Sequence, residues 1–378
     1  MSATHEERLA RTALCQLAEP GEARIRDLVA DLGAVTLHEL LLQDRDPHGV
    51  LTDVALRLAD NDPERELDRA ARLGIRFIIP GDDEWPSQID GLEPVRGVRD
   101  RGGLPLGLWV KGPLRLNELQ DSLAVVGSRS CTTYGIDVAG QISAEVAKTG
   151  TCVISGAAFG IDQAAHRGAL SASGKTVAVL ACGVDRCYPE AHANLLNYLA
   201  EHGAVVSEVP MGWSPMRSRF LARNRLIAGL ARGTVVVEAA ARSGALSTAN
   251  WTTQLNRPLM AVPGPVTSEP SEGAHQLIRN GEATLVTRSA EVLELIKPSG
   301  EYLFEMPRGR ERRRDRLSSR DAQVLEAVPV ANPVAVDSIS RTAGVGLVEA
   351  GRALQKLSAE GLVEQSKHGW RLTREART

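Results

Sequence analysis

With 378 residues, 43% of them hydrophobic and 24% charged, the chain can build one large core with one or two satellites, and its composition excludes a fibrous or disordered protein. A formal net charge of −3 supplies no global field for polyanions, so any nucleic-acid site has to be a local patch. Five scattered cysteines (Cys15, Cys131, Cys152, Cys182, Cys187) without a C-x-x-C pair exclude a disulfide framework and a structural zinc, and no metal or cofactor is expected.

The opening MSATHEERLARTAL is acidic early and lacks a long apolar core, unlike a signal peptide. No apolar run reaches the ~20 residues of a bilayer span, so a cytoplasmic protein is expected, with no membrane partner. Residues 1–80 read as a small helical domain: RLARTALCQLA, RIRDLVADLG, TLHELLLQD and VALRLAD carry apolar residues at helical spacing between Pro and Gly breaks. IRFIIPGDDEWPSQI and LGLWVKGPL follow as short strands or extended segments.

Residues 81–297 form the main block, alternating regularly from about residue 104. Apolar runs SLAVVG, TCVISG, TVAVLACG, AVVSEVP, GTVVVEA, PLMAVPG and ATLVT predict strands. Helices are predicted between them at 136–148, 161–171, 191–201, 220–231 and 246–255. Strands apolar almost throughout, separated by helices, define a parallel sheet covered on both faces, an α/β doubly wound and Rossmann-like domain. Residues 298–320, rich in Pro, Gly and Arg, read as a solvated linker. Residues 321–378 read helix, helix, helix, hairpin, a winged-helix pattern with Leu347 to Glu360 in the recognition position.

Ligands of an open α/β sheet collect at the C-terminal strand ends. Here those ends are rich in glycine and small hydroxyls: Gly127-Ser128-Arg129, Ser155-Gly156 through Gly160-Ile161-Asp162, Gly183-Val184-Asp185, Ser207-Glu208, Glu238 with Arg242-Ser243-Gly244, and Pro263-Gly264. Each alone could be a tight turn; together they favour a phosphate-binding rim of backbone amides. No G-x-G-x-x-G follows the first strand, and GALSASGKT precedes a strand with the wrong glycine spacing, which leaves Lys175 a surface residue and no P-loop. In MRSRFLARNRLIAGL, Arg219 and Arg223 share the core-facing stripe with Ile227, whereas Arg225 lies nearer the far side and reads as solvated. Phe220 either stacks a base or anchors the core. Asp162 and His166, four residues apart, form either an acid–base pair or a helix-end charge beside an unrelated histidine.

These segments resemble the DprA/Smf family of DNA-processing proteins. The resemblance rests on Val126-Gly127-Ser128-Arg129 with Tyr134-Gly135, Ser155-Gly156, Gly160-Ile161-Asp162, Ala165-His166, Gly183, Tyr188-Pro189, Ser207-Glu208, Phe220, Arg223-Asn224-Arg225, Val237-Glu238, Ser243-Gly244, Thr248-Ala249 and Pro263-Gly264. It implies an extended Rossmann domain between an N-terminal domain similar to a sterile-alpha-motif fold and a C-terminal winged helix. It further implies a non-enzymatic mediator that binds and protects single-stranded DNA, loads the RecA recombinase in natural transformation, and forms a homodimer. Carried onto this chain, the DNA site would comprise Gly127, Ser128, Arg129, Ser155, Gly156, Gly160, Arg217, Phe220, Arg223, Asn224, Arg225, Ser243 and Gly244. The Ser155-Gly156 and Ser243-Gly244 loops would donate N–H groups. The dimer candidate is 271–286, with His275, Leu277 and Ile278, the last two of which could equally belong to the core. Leu-Ala follows Phe220 where the family often has proline, and Arg217 stands where Lys is common.

Two alternatives remain at this stage. A Rossmann-fold nucleotide phosphoribohydrolase would need a Pro-Gly-Gly-x-Gly-Thr loop followed by glutamate, where this chain has ARSGALSTANW. A transcription regulator would act through the winged helix on a defined duplex.

Overall fold

The computed structural model describes residues 3–43, 61–95, 102–298, 300–301, 313–374 and 376. The helix expected at 54–60 and much of the 298–320 linker lie outside them. The chain divides into two compact units, Met1–Phe304 and Glu305–Thr378.

The first unit opens with α1 (His5–Leu17), α2 (Ala23–Leu32) and α3 (Ala34–Leu42), which bury Leu14, Leu17, Ile25, Leu37 and Leu41 against one another. Thr4 caps α1 by accepting the Glu7 N–H at 3.1 Å, and Glu6 and Glu7 complement the positive end of the helix dipole. Helix α4 (Pro63–Arg72) has no strong apolar stripe, since Ala70 is its one buried residue. Its ends explain it: an Asp62 cap, Pro at the first turn, Glu64 and Glu66 early, Arg69 and Arg72 late.

A nine-stranded sheet forms the centre. Its strands are β1 (Ile75–Ile78), β2 (Leu108–Lys111), β3 (Ser122–Val126), β4 (Cys152–Ser155), β5 (Thr176–Val179), β6 (Ala204–Ser207), β7 (Gly233–Val236), β8 (Leu259–Ala261) and β9 (Thr284–Leu285). The order is β1-β2-β6-β5-β4-β3-β7-β8-β9, with β2 antiparallel to both β1 and β6 and all other pairs parallel. The seven apolar runs thus form the parallel part. The two segments that precede them extend the β6 edge, where the Phe77 and Trp109 rings meet at 4.4 Å.

Alternation along the strands sorts the core into two layers. Ala124, Val126, Ile154, Val177 and Val236 face one layer; Leu123, Val125, Val153 and Val235 face the other. The covering helices are α5 (Thr133–Lys148), α6 (Ile161–Ser171), α7 (Ala193–His202), α8 (Arg217–Leu230), α9 (Ala245–Gln254), α10 (Glu272–Arg279) and α11 (Ser289–Ile296). Helices α10 and α11, absent from the sequence-based reading, are only eight residues long. Strand order reverses between β3 and β7, the switch point where open sheets bind their ligands.

The second unit contains α12 (Ser319–Glu326), α13 (Val336–Ala343), α14 (Leu347–Ala359) and a hairpin of β10 (Val363–Ser366) and β11 (Gly369–Leu372). Val324, Ile339, Leu354, Leu357, Val363 and Trp370 give it a core of its own.

Candidate nucleic-acid interface

At the C-terminal edge of the sheet the loops lie against one another, and most of their polar groups are engaged internally. Glu238, after β7, is 1% exposed, and its carboxylate accepts the Thr132 N–H at 2.8 Å and the Thr132 hydroxyl at 2.6 Å. It therefore occupies the N-terminus of α5 at the switch point, where a nucleotide-binding Rossmann domain holds a phosphate. The Ser128 N–H is taken by the Glu238 carbonyl at 2.6 Å.

The loop from Ser155 to Gly160 is clamped from three sides. Asp162 accepts the N–H groups of Gly156 at 3.2 Å and Ala158 at 3.4 Å. Arg223 donates through Nη1 to the carbonyls of Gly156 and Val179, both at 2.7 Å, joining the ends of β4 and β5. The His192 Nδ1 lies 2.9 Å from the Ala157 carbonyl. Gly160, at φ 78°, passes so close to the Ser128 carbonyl that a Cβ would collide with it. The Gly156 amide is thus spent within the fold, which corrects its expected role as a phosphate donor. Ser155 is fully buried, and its hydroxyl donates to the Val125 carbonyl at 2.7 Å.

Burial pushes the Asp162 carboxyl up, opposed by Arg223 and by the two loop amides; burial also lowers Arg223, opposed by Asp162. No acid–base pair forms with His166, whose Nδ1 lies 2.8 Å from the Thr176 hydroxyl. That hydroxyl donates to the Val153 carbonyl, so His166 Nδ1 carries the proton. Burial, with His192 and Arg223 nearby, holds His166 down at about 3.

Helix α8 is enclosed on nearly all sides, and this sorts its arginines. Arg225 is 0% exposed and grips Glu208 through Nη2 at 2.6 and 2.5 Å, which corrects both its solvated reading and its place in a DNA surface. The turn at Gly21, between α1 and α2, covers it. Arg219, 7% exposed, makes a bidentate pair with Glu19 at 2.7 and 3.0 Å and stacks 4.6 Å over Trp213. Asn224 is 8% exposed and donates to the Gly244 carbonyl at 3.2 Å. Arg223 and Asn224 are therefore scaffold under the rim rather than its surface.

What faces outward is smaller. Arg129 and Arg217 are exposed, and neither side chain has a hydrogen-bond or ion-pair partner among the described residues. The Arg129 guanidinium lies 4.8 Å over the Phe220 ring, and the Tyr188 ring is 5.8 Å from it on an edge-tilted geometry. Arg242 is also exposed in the loop before α9, a cation the sequence-based reading quoted without assigning. Ser243 is half-buried, with its hydroxyl accepting the Ala245 N–H at 3.3 Å, and Gly244 is exposed beside it. Exposed arginines around an aromatic ring can pair with phosphates while the ring stacks a base.

Among the dimer candidates, Leu277 is 8% exposed and belongs to the core, the second of its two readings. Ile278 packs partly against the same cluster, and the His275 Nε2 lies 3.1 Å from the Gly264 carbonyl. Leu285 on the edge strand β9 is 46% exposed.

Fold and rim together define an α/β protein whose doubly wound sheet carries exposed arginines and aromatic rings at its C-terminal edge. Residues 76–297 match the family model described as DNA recombination-mediator protein A. A Mycobacterium tuberculosis protein bearing the name DprA is 42% identical over 371 residues, covering 96% of this chain and 93% of its own. Protein Smf of Escherichia coli is 40% identical over 61% of this chain and 59% of its own. The X-ray structure of DNA processing protein A from Streptococcus pneumoniae superposes with a TM-score of 0.63 at 31% identity, covering 81% of this chain and all of that one. A Helicobacter pylori DNA processing protein A, whose structure concerns its single-stranded DNA binding mode, superposes at 0.51 with 25% identity over 58% of this chain and 94% of its own.

The chain belongs to the DprA/Smf family of DNA recombination mediators, proteins that are not enzymes. Among the described residues no helix is long and apolar enough to cross a membrane, and no cluster of three or more His, Cys, Asp or Glu side chains is placed to hold a metal.

Proposed function

We propose that this chain is a cytoplasmic single-stranded DNA-binding mediator that protects an incoming strand and loads RecA onto it. The observation that carries the reading is the outward pair of unengaged arginines, Arg129 and Arg217, with Phe220 beneath Arg129 at the sheet edge. The arginines would neutralise phosphates and Phe220 would stack a base; at the start of α9 the Gly244 N–H would add a backbone donor, the Ser243 N–H being taken by the Ala240 carbonyl at 2.9 Å. Glu238 in the switch-point crevice argues against a nucleotide hydrolase there.

The finer architecture belongs to the same proposal. Residues 1–80 serve as a domain similar to a sterile-alpha-motif fold, and residues 321–378 as a winged helix. Two copies pair around β9 and α10, where Leu285 stands open.

Fluorescence anisotropy of a labelled oligo-dT across a salt series tests the rim. Each phosphate contact on a single strand adds roughly 0.7 to the slope of log affinity against log salt. Arg129→Ala and Arg217→Ala should each weaken binding and flatten that slope by about that amount. Unchanged slopes in both variants would remove the rim as the DNA site.

A further inference from the structure

Among the described residues four aromatic rings are exposed, Tyr134, Phe159, Tyr188 and Tyr198. Phe159 is one of them, 46% exposed at the tip of the loop between β4 and α6. A bulky apolar ring pointing outward from a mobile loop would mean little. This loop is the most tightly clamped at the edge: Asp162 takes its amides, Arg223 and His192 meet its carbonyls, and Gly160 seats it against Ser128. The ring itself rests edge-on against His192 at 4.6 Å, so one side is buttressed and the other is open.

Its neighbourhood connects it to the rim. Gly160, the next residue, packs against the backbone of Ser128 and Arg129. Arg223, which holds the loop through the Gly156 carbonyl, also lies 5.9 Å from the Phe220 ring. His192, which supports Phe159, follows Tyr188 by one short turn, and Tyr188 flanks Phe220 at 5.8 Å. Two ring pairs, Phe159 with His192 and Tyr188 with Phe220, are thus joined by the four-residue step from Tyr188 to His192, with Arg129 over Phe220.

We infer that Phe159 is a second base-stacking platform, engaging a nucleobase of the same single strand that Phe220 engages. The inference rests on the rim reading above. A rigid, pre-placed ring loses no loop entropy on binding and is indifferent to sequence, since every base presents a flat face. Stacking one base is worth about five- to hundredfold in affinity.

The test uses the full chain, an oligo-dT and an oligomer of equal length made of abasic sites, which keeps the phosphates and removes the bases. Phe159→Ala should weaken oligo-dT binding by about tenfold, leave binding of the abasic strand and the salt slope unchanged, and be rescued by Phe159→Trp. If Phe159→Ala binds oligo-dT like the wild type, or loses equally on both strands, the platform is refuted; equal loss would mark a packing role. A wild type that binds neither strand would refute the rim and the platform together, an outcome distinct from either of those.

Discussion

A buried guanidinium and an exposed one are chemically identical but do different work, and α8 holds both within nine residues. Arg225, without solvent, is paired with Glu208; stranding one member of such a pair typically costs about 3–5 kcal/mol. Arg225→Leu should therefore destabilise the fold by about that amount in a urea titration. Arg225→Leu with Glu208→Leu should recover most of the loss, because an apolar replacement leaves no unpaired charge. A double variant no better than the single would mean that the pair orders α8 through geometry rather than charge. Sequence could not separate these arginines. What covers Arg225 is the turn at Gly21, some two hundred residues away along the chain, and no local periodicity reports a cover from so far. The outward position of Arg129 follows from its place in a glycine-serine turn after a plainly apolar strand, while its DNA role comes only from the family resemblance. Gly156 was misread for the converse reason: a glycine turn looks alike whether its amide meets a phosphate or the carboxylate of Asp162.

Among elements, the parallel strands were legible because each is short, apolar throughout and bounded by glycine or a small polar residue. Helix α4 was not, since its ends rather than a buried face define it. Helix α8 is fixed at both ends by distant residues. At its C-terminus Arg257 donates to the carbonyls of Ala228, Gly229 and Ala231, and burial brings Arg257 down to about 10. At its N-terminus Arg219 is held by Glu19 of the turn after α1. That first turn also presents Arg217 and Phe220, so the N-terminal helices set the pose of the outward residues. A double-mutant cycle with Glu19→Gln and Arg219→Gln should show a coupling of about 1–2 kcal/mol in stability, between the values for exposed and buried pairs. A coupling near zero would leave packing alone to hold the helix.

For the whole molecule, the two compact units carry separate cores, and every outward residue of the rim lies in the first. A fragment of residues 1–304 should therefore bind oligo-dT with the salt slope of the full chain. A lower slope would place phosphate contacts in the second unit. The net charge of −3 fits a protein that concentrates its attraction for polyanions in one place.

Glu238 gives that surface its character. Its carboxylate, buried and already satisfied by Thr132, stands at the switch point between β3 and β7 where a bound phosphate would otherwise sit. If the proposed rim is the DNA site, a strand would need no free end to settle on it, and a closed circle should compete with a linear strand of equal length on equal terms.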